Sequence, residues 1–327
     1  MAVKPSSFSG QVLEREPLGV TGASGNRLER LTLRDGRVIV SKRVSPQWDW
    51  ISRATGDDGG VARMWSTGDF ARIPPALDHA TLDVETGDGE WTVYMRDVSA
   101  AMFGPQRRLD RPALHCVLEA LAELHLAFWG EERPELCTLE DRYNLLSPAT
   151  ARRETDRGEP VGETISRCWE VFEELAPDEV GRAILALAHE PVLLAEQLAA
   201  CEQTLIHGDV RLNNLGWADD RVVLVDWGER TGSAPPAVEL ASFLVFDARR
   251  FDVSHDEVIE AFCALYGERF DARALELALI GGLVQLGCNF ALPIVLGRGD
   301  EAWVAARTEL AWWGPRVALA LEAWSPV

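Results

Sequence analysis

The chain has 327 residues, enough for one large or two medium domains, and 47% of them are apolar, so a sizeable core is available. Its 52 acidic and 32 basic side chains give a net charge of −20. That charge repels a phosphate backbone and argues against nucleic acid as a partner; it tolerates a cationic or neutral small molecule, although surface acid of this kind serves solubility first.

Residues 11–20 can form a strand, followed by a loop of small residues that includes Gly22, Ser24 and Gly25. Such a loop lets backbone amides approach phosphates without side-chain obstruction. Residues 28–34 and 37–44 read as two further strands joined by an Asp35-Gly36 hairpin turn. Lys42 shares a strand face with Val38 and Val40. That face points to the core, so the ammonium needs a partner, and a nucleotide phosphate suits it. Residues 55–60, which contain Asp57 and Asp58, look like a loop or a helix break. Residues 90–98 read as the last strand of this half.

Leu114, Val117, Leu118, Leu121, Leu124 and Phe128 recur at helical spacing and predict a long amphipathic helix. His125 within it reads as a buried structural histidine. The polar stretch at 147–162 reads as a surface connection, and helices are expected at 164–175 and 177–201, with Asp178 a favourable charge at the start of the second. Helices at 254–266, 272–295 and 302–324 would build a substrate-side wall. Residues 277–296 come nearest to a membrane span, but Gln285, Asn289 and Pro293 interrupt them, which predicts a buried helix pair and no membrane partner. The six cysteines form no C-x-x-C unit, so no zinc site is expected, and scattered thiols suit a reduced, cytoplasmic protein. Residues 1–10 lack the apolar core of a signal peptide.

The chemistry concentrates in Ile206-His207-Gly208-Asp209-Val210-Arg211-Leu212-Asn213-Asn214, followed by the apolar run Val222–Val225 that ends in Asp226. Asp209 can accept a hydroxyl proton, and Asn214 and Asp226 offer oxygens to magnesium, a hard cation. Two blander readings compete: His207 and Asp209 as turn caps between strands, or as metal ligands of a hydrolase. Trp217 and Trp227 flank this region and could line a pocket.

The pattern resembles the aminoglycoside phosphotransferase and choline kinase superfamily, whose catalytic loop reads H-G-D-x-x-x-x-N and is followed by a strand ending in aspartate. The resemblance runs over roughly residues 15–250. It implies an α+β, bilobal protein kinase-like fold, with a small antiparallel-sheet N-lobe at residues 1–98 and a mostly helical C-lobe at 99–327. It implies ATP and Mg2+ as cofactors and a small-molecule hydroxyl as acceptor, in a monomer or homodimer. Lys42 would steady the phosphates, and Arg96 to Val98 would form the adenine-binding hinge. Arg211 stands where protein kinases often carry a phosphate-facing lysine. Leu121-Ala122-Glu123-Leu124-His125 matches the superfamily's L-A-x-L-H helix end. The chain departs from the pattern twice: Glu239-Leu240-Ala241 replaces Asp-Leu-Ala, and no glutamate stands between Lys42 and Glu85 to pair with the lysine. Asp49, Asp57, Asp58 and Asp69 are the acids available there. The gap leaves an alternative, a catalytically weak or inactive nucleotide-binding protein. Absence of the acidic, aromatic C-terminal tail of aminoglycoside-modifying members favours a sugar or amino alcohol over an aminoglycoside.

Overall fold

The computed structural model describes residues 8–18 and 24–324. Five antiparallel strands form the main sheet in the order β1-β2-β3-β6-β5: β1 (Val12–Pro17), β2 (Arg27–Leu33), β3 (Val38–Val44), β5 (Thr81–Thr86) and β6 (Trp91–Arg96). The Asp35-Gly36 turn joins β2 to β3, with Gly36 at φ 84°. The short helices α1 (Trp50–Ala54), α2 (Gly60–Thr67) and α3 (Asp69–Arg72) cross from β3 to β4 (Leu77–Asp78). Strand β5 was not among the expected elements. Its run Thr81-Leu82-Asp83-Val84-Glu85-Thr86 does alternate, and the Gly87–Gly89 turn returns it onto β6.

The rest is mainly helical: α4 (Arg111–Ala127), α5 (Leu139–Asn144), α6 (Pro148–Asp156), α7 (Pro160–Leu175), α8 (Asp178–His189) and α9 (Val192–Ala199) precede the segment that carries His207 to Asp226. There β7 (Thr204–Ile206) pairs with β10 (Gly232–Ala234), and the hairpin of β8 (Leu215–Ala218) and β9 (Arg221–Leu224) takes β4 as its third strand. Next come α10 (Pro236–Asp247), α11 (His255–Tyr266), α12 (Ala272–Leu286), α13 (Leu292–Val295) and α14 (Asp300–Ala323). A small sheet lobe against a larger helical lobe is the expected bilobal α+β fold.

Three expectations are corrected. The stretch at 147–162 is not a plain connection: Ser147 caps the backbone of Thr150 and Pro148 opens α6, whose Ala151 and Glu154 are buried. Residues 177–201 are two helices, because Pro191 cannot continue α8. Residues 272–295 break at a 3-10 turn, Gly287–Phe290, before α13. This segment is long and apolar enough to cross a membrane, yet 72% of its most apolar window is buried inside the protein, as for a core helix. Helix α12 packs on α10 and α14, so the core behind the His207–Asp226 segment is centred on it.

Candidate active site

Two hairpin-like pairings assemble the site. In the β8–β9 hairpin, Leu215 lies opposite Leu224, so Asn214 and Val225 face each other just beyond the paired residues. The Val225 N–H donates to the Asn214 carbonyl at 3.0 Å. The turn residues Asp219 and Asp220 have φ of 50° and 58°, the left-handed pair that suits a two-residue hairpin. Asn214 and Asp226 thus arrive side by side. In the second pairing, β10 runs antiparallel to β7 with Gly232 opposite Ile206. This returns Arg230 and Thr231 to the loop that carries Asp209, where Thr231 Oγ1 donates to the His207 carbonyl at 3.0 Å.

Helix α10 holds both ends of that loop. Glu239 accepts the N–H groups of His207 and Gly208, and Asp247 accepts the Leu212 N–H at 2.7 Å. The two carboxylates stand about 12 Å apart along the axis, given ~1.5 Å of rise per residue. Burial alone would raise the Glu239 carboxyl, but the hydrogen bonds from His125 and the Gly208 N–H outweigh it and hold it below its ordinary value. His125 is braced in turn by the Tyr266 hydroxyl at 2.6 Å and is wholly buried. So Glu239 takes the bracing place of the superfamily's aspartate, and His125 is the structural histidine expected.

His207 is also a brace. Its Nδ1 accepts the Asp209 N–H at 3.2 Å, which puts the ring proton on Nε2, and Nε2 donates to the Val225 carbonyl at 3.0 Å. Burial pushes its pKa down, so the ring is neutral. Gly208 has φ 84°, and a Cβ there would lie 2.0 Å from the Arg230 carbonyl oxygen. Only glycine fits.

Asp209 is buried, and its carboxylate accepts from Arg230 Nη1 at 2.5 Å and from Asn214 Nδ2 at 3.0 Å. Arg211 Nε approaches it to 3.5 Å as an ion pair. Asp226 adopts φ 72°, a strained conformation for a non-glycine residue of the kind that gathers at functional sites.

Lys42 Nζ donates to Asp226 at 2.6 Å and to Glu229 at 3.0 and 3.2 Å. The carboxylate partner missing from the segment after Lys42 is therefore Glu229, 187 residues along the chain. None of the four aspartates considered for that role takes it. Asp49 caps α1, Asp57 accepts the Gly59 and Gly60 amides, Asp58 pairs with Arg63, and Asp69 pairs with Arg133. Burial opposes the Lys42 charge, but the two carboxylates raise its pKa. Burial also opposes ionisation of Asp226, yet Lys42 outweighs it and holds that carboxyl at about 2. Glu229 is pushed up to about 7, by burial first and by Asp226, Asp49 and Asp57 beside it, against the pull of Lys42.

These groups border a cavity of about 330 Å³ that is lined by Ser24, Lys42, Asp209, Arg211, Asp226, Glu229 and Arg230 on its charged side. Of the loop residues expected to approach phosphate, Ser24 lines the cavity and its carbonyl accepts the Trp50 N–H at 3.0 Å. Gly25 has φ 95° and lies against Trp48, and Gly22 falls outside the described residues. Arg96 and Val98 do not line the cavity: Arg96 ends β6 and pairs with Asp78. Trp217 and Trp227 are not in its lining either. Trp227 packs edge-on against His207 with ring centroids 4.6 Å apart, while Trp217 is exposed. Glu229, Arg230 and Asp247 were not anticipated. Glu229 and Arg230 stood in plain view three and four residues after Asp226, but only the β7–β10 pairing tells where they point.

The donor set suits magnesium. Asp226 offers a carboxylate and Asn214 an amide oxygen, both hard ligands. Among the described residues there is no cluster of three or more His, Cys, Asp or Glu that could cage a metal, and magnesium held between one or two protein oxygens, phosphates and water needs none.

No curated protein matches the chain in sequence. Among solved structures, it is similar to a thermostable variant of aminoglycoside phosphotransferase APH(4)-Ia in complex with AMP-PNP and hygromycin B, at 16% identity and TM-score 0.51 over 98% of this chain and 96% of that one. It is similar to choline kinase from Cryptosporidium parvum Iowa II at 11% identity and TM-score 0.54, covering 95% and 90% of the two chains. Aminoglycoside phosphotransferase APH(3'')-Id from Streptomyces rimosus, in complex with ADP and streptomycin, matches at 20% identity and TM-score 0.50, covering 81% and 94%. At these identities the likeness is one of fold. The model of the phosphotransferase enzyme family matches residues 71–277, more than half of the sequence, and the chain belongs to that family.

Proposed function

We propose that this protein transfers the γ-phosphoryl group of ATP to a hydroxyl of a small molecule. The observation that carries the reading is the convergence of Lys42, Asp209 and Asp226 on one cavity, with Asn214 hydrogen-bonded to Asp209 behind its lining. Asp209 takes the acceptor's hydroxyl position and receives its proton. Asn214 and Asp226 hold Mg2+, which when bound neutralises charge on the phosphates. Lys42, kept charged and buried by Asp226 and Glu229, steadies the same phosphates. Arg211, beside Asp209, faces the charge that develops during transfer. Ser24 and the adjoining loop, with Gly22 and Gly25, cover the phosphates from the sheet lobe, and the backbone at Arg96 to Val98 receives the adenine. The lobes divide near residue 98, and the six free thiols suit a cytoplasmic setting.

Glu229 removes the main sequence argument for an inactive protein, because the lysine has its carboxylate. A coupled ATP-consumption screen across alcohols, sugars, amino alcohols and aminoglycosides tests the proposal. Acceptor-dependent, Mg2+-dependent turnover is expected for the wild type and not for Asp209→Ala. Equal turnover in both would refute it.

A further inference from the structure

Beyond its charged end, the cavity has a second wall. It is built by α1, the start of α7, the 3-10 turn after α12, and α13, and it carries Ile51, Val161, Ile165, Leu286 and Leu292. Among the described lining residues the neutral polar side chains are few: Ser24 and Asn26 near Lys42, and Thr164 and Asn289 on the far wall, with the weakly polar thiols of Cys168 and Cys288.

The charges on the lining cancel. Lys42, Arg211 and Arg230 face Asp209, Asp226 and Glu229, and every one of these carboxylates is already paired with one of these cations. Among the described lining residues, no carboxylate remains on the far wall to receive an ammonium group. An ammonium desolvated there without a partner costs several kcal/mol. The overall charge of −20 attracts cations at long range, but salt screens it beyond ~8–10 Å, so groups in contact decide selectivity. An aromatic cage for a quaternary ammonium is also missing. Trp50 and Phe246 are the only aromatic rings among the described lining residues, and Arg211 already sits 5.5 Å from the Phe246 centroid. A polyhydroxylated sugar would likewise leave most of its hydroxyls against hydrocarbon.

We infer that the acceptor is a compact alcohol with a largely apolar carbon skeleton and no ammonium group. The cavity is about 330 Å³ in all, and with its charged end given to the phosphates the remainder suits a compact molecule. This inference rests on the phosphoryl-transfer reading for the role of the hydroxyl, but the chemistry of the wall can be tested without turnover.

The experiment measures Mg2+-ATP-dependent transfer to 4-phenyl-1-butanol, geraniol and 2-cyclohexylethanol against choline, glucose and kanamycin. The best of the three alcohols is expected to exceed every one of the other acceptors by about tenfold or more in kcat/KM. Transfer to choline, glucose or kanamycin at or above the alcohols overturns the apolar class and leaves phosphoryl transfer standing. If nothing is phosphorylated, the transfer reading fails, and titration of the same compounds by quenching of tryptophan fluorescence decides the acceptor class alone. Leu292 is half-buried at the cavity wall, so Leu292→Glu adds a carboxylate without replacing a catalytic group. Saturable alcohol binding, weakened about tenfold in Leu292→Glu, sustains the inference. Binding of kanamycin or choline in place of the alcohols, or no saturable alcohol binding by the wild type, overturns it. Should Leu292→Glu not fold, Val161→Glu supplies the same test, since an acidic residue suits the first turn of α7.

Discussion

The cavity has two sides made of different material. On one, Lys42, Asp209, Asp226, Glu229 and Arg230 pair with one another, and Glu239 and Asp247 fix the backbone of the loop that carries Asp209. On the other, α7 and α13 present half-buried aliphatic side chains with little polar content. Ion pairs in a buried site are over-determined, because removing one partner strands the other. Aliphatic contacts at a half-exposed surface are individually weak and replaceable. One side therefore resists change and the other accommodates it, a division that fits a family with a common reaction and differing acceptors.

The largest effect should come from the charged side. Lys42→Met strands Asp226 and Glu229 together, and is expected to cost about 3–5 kcal/mol of stability in urea denaturation and to abolish Mg-ATP binding. A loss below ~1 kcal/mol would mean that the buried triad is not the structural unit described. Gly208→Ala should be next, at about 2–3 kcal/mol, since it adds left-handed strain and a clash with the Arg230 carbonyl. Near-normal stability with normal activity would contradict the close approach of the loop to residue 230.

Glu229 sharpens the comparison through pH. Its carboxyl is raised from 4.5 to about 7 in the folded protein, so its contribution to stability is full below pH 4.5 and is lost as pH rises through 7. His207, lowered by burial, acts in the opposite sense: its contribution is full above 6.5 and is lost as pH falls. The difference between wild type and Glu229→Gln isolates the carboxyl. Relative to the variant, the ligand-free wild type should lose stability between pH 4.5 and 7. A flat difference across that window would place Glu229 in an ordinary environment. The smallest effect belongs to the other wall. Leu292→Ala should cost about 1 kcal/mol or less in stability and leave Mg-ATP binding unchanged, while raising KM for the acceptor.

How far the sequence could be read follows the same division. That His207, Asp209, Asn214 and Asp226 come together was legible because they sit in one short loop and the strand end after it, at offsets that backbone geometry keeps fixed. Lys42 was legible from its strand face. Its partner was not, because the contact to Glu229 spans 187 residues and depends on the β7–β10 register. The bracing by Asp247 depends on how α10 lies across the loop, which no local pattern reports. The far wall was least legible. Val161, Leu286 and Leu292 come from separate helices, and an aliphatic residue lining a cavity has the same sequence signature as one in the core. The hidden helix α6 shows the same limit: its polar composition suggested a loop, while Ser147 and Pro148 carried the helix signal.

The most direct test of the central claim separates nucleotide binding from transfer in Asp209→Asn. Calorimetric titration with Mg-AMP-PNP and single-turnover transfer to the best acceptor would be measured side by side. Nucleotide affinity is expected to stay within about threefold of wild type and transfer to fall by about 10²–10⁴-fold, the usual contribution of a positioned acid–base group. Unchanged transfer, or a loss of nucleotide affinity as large as the loss of transfer, would contradict the assignment of Asp209 to the acceptor side of the site.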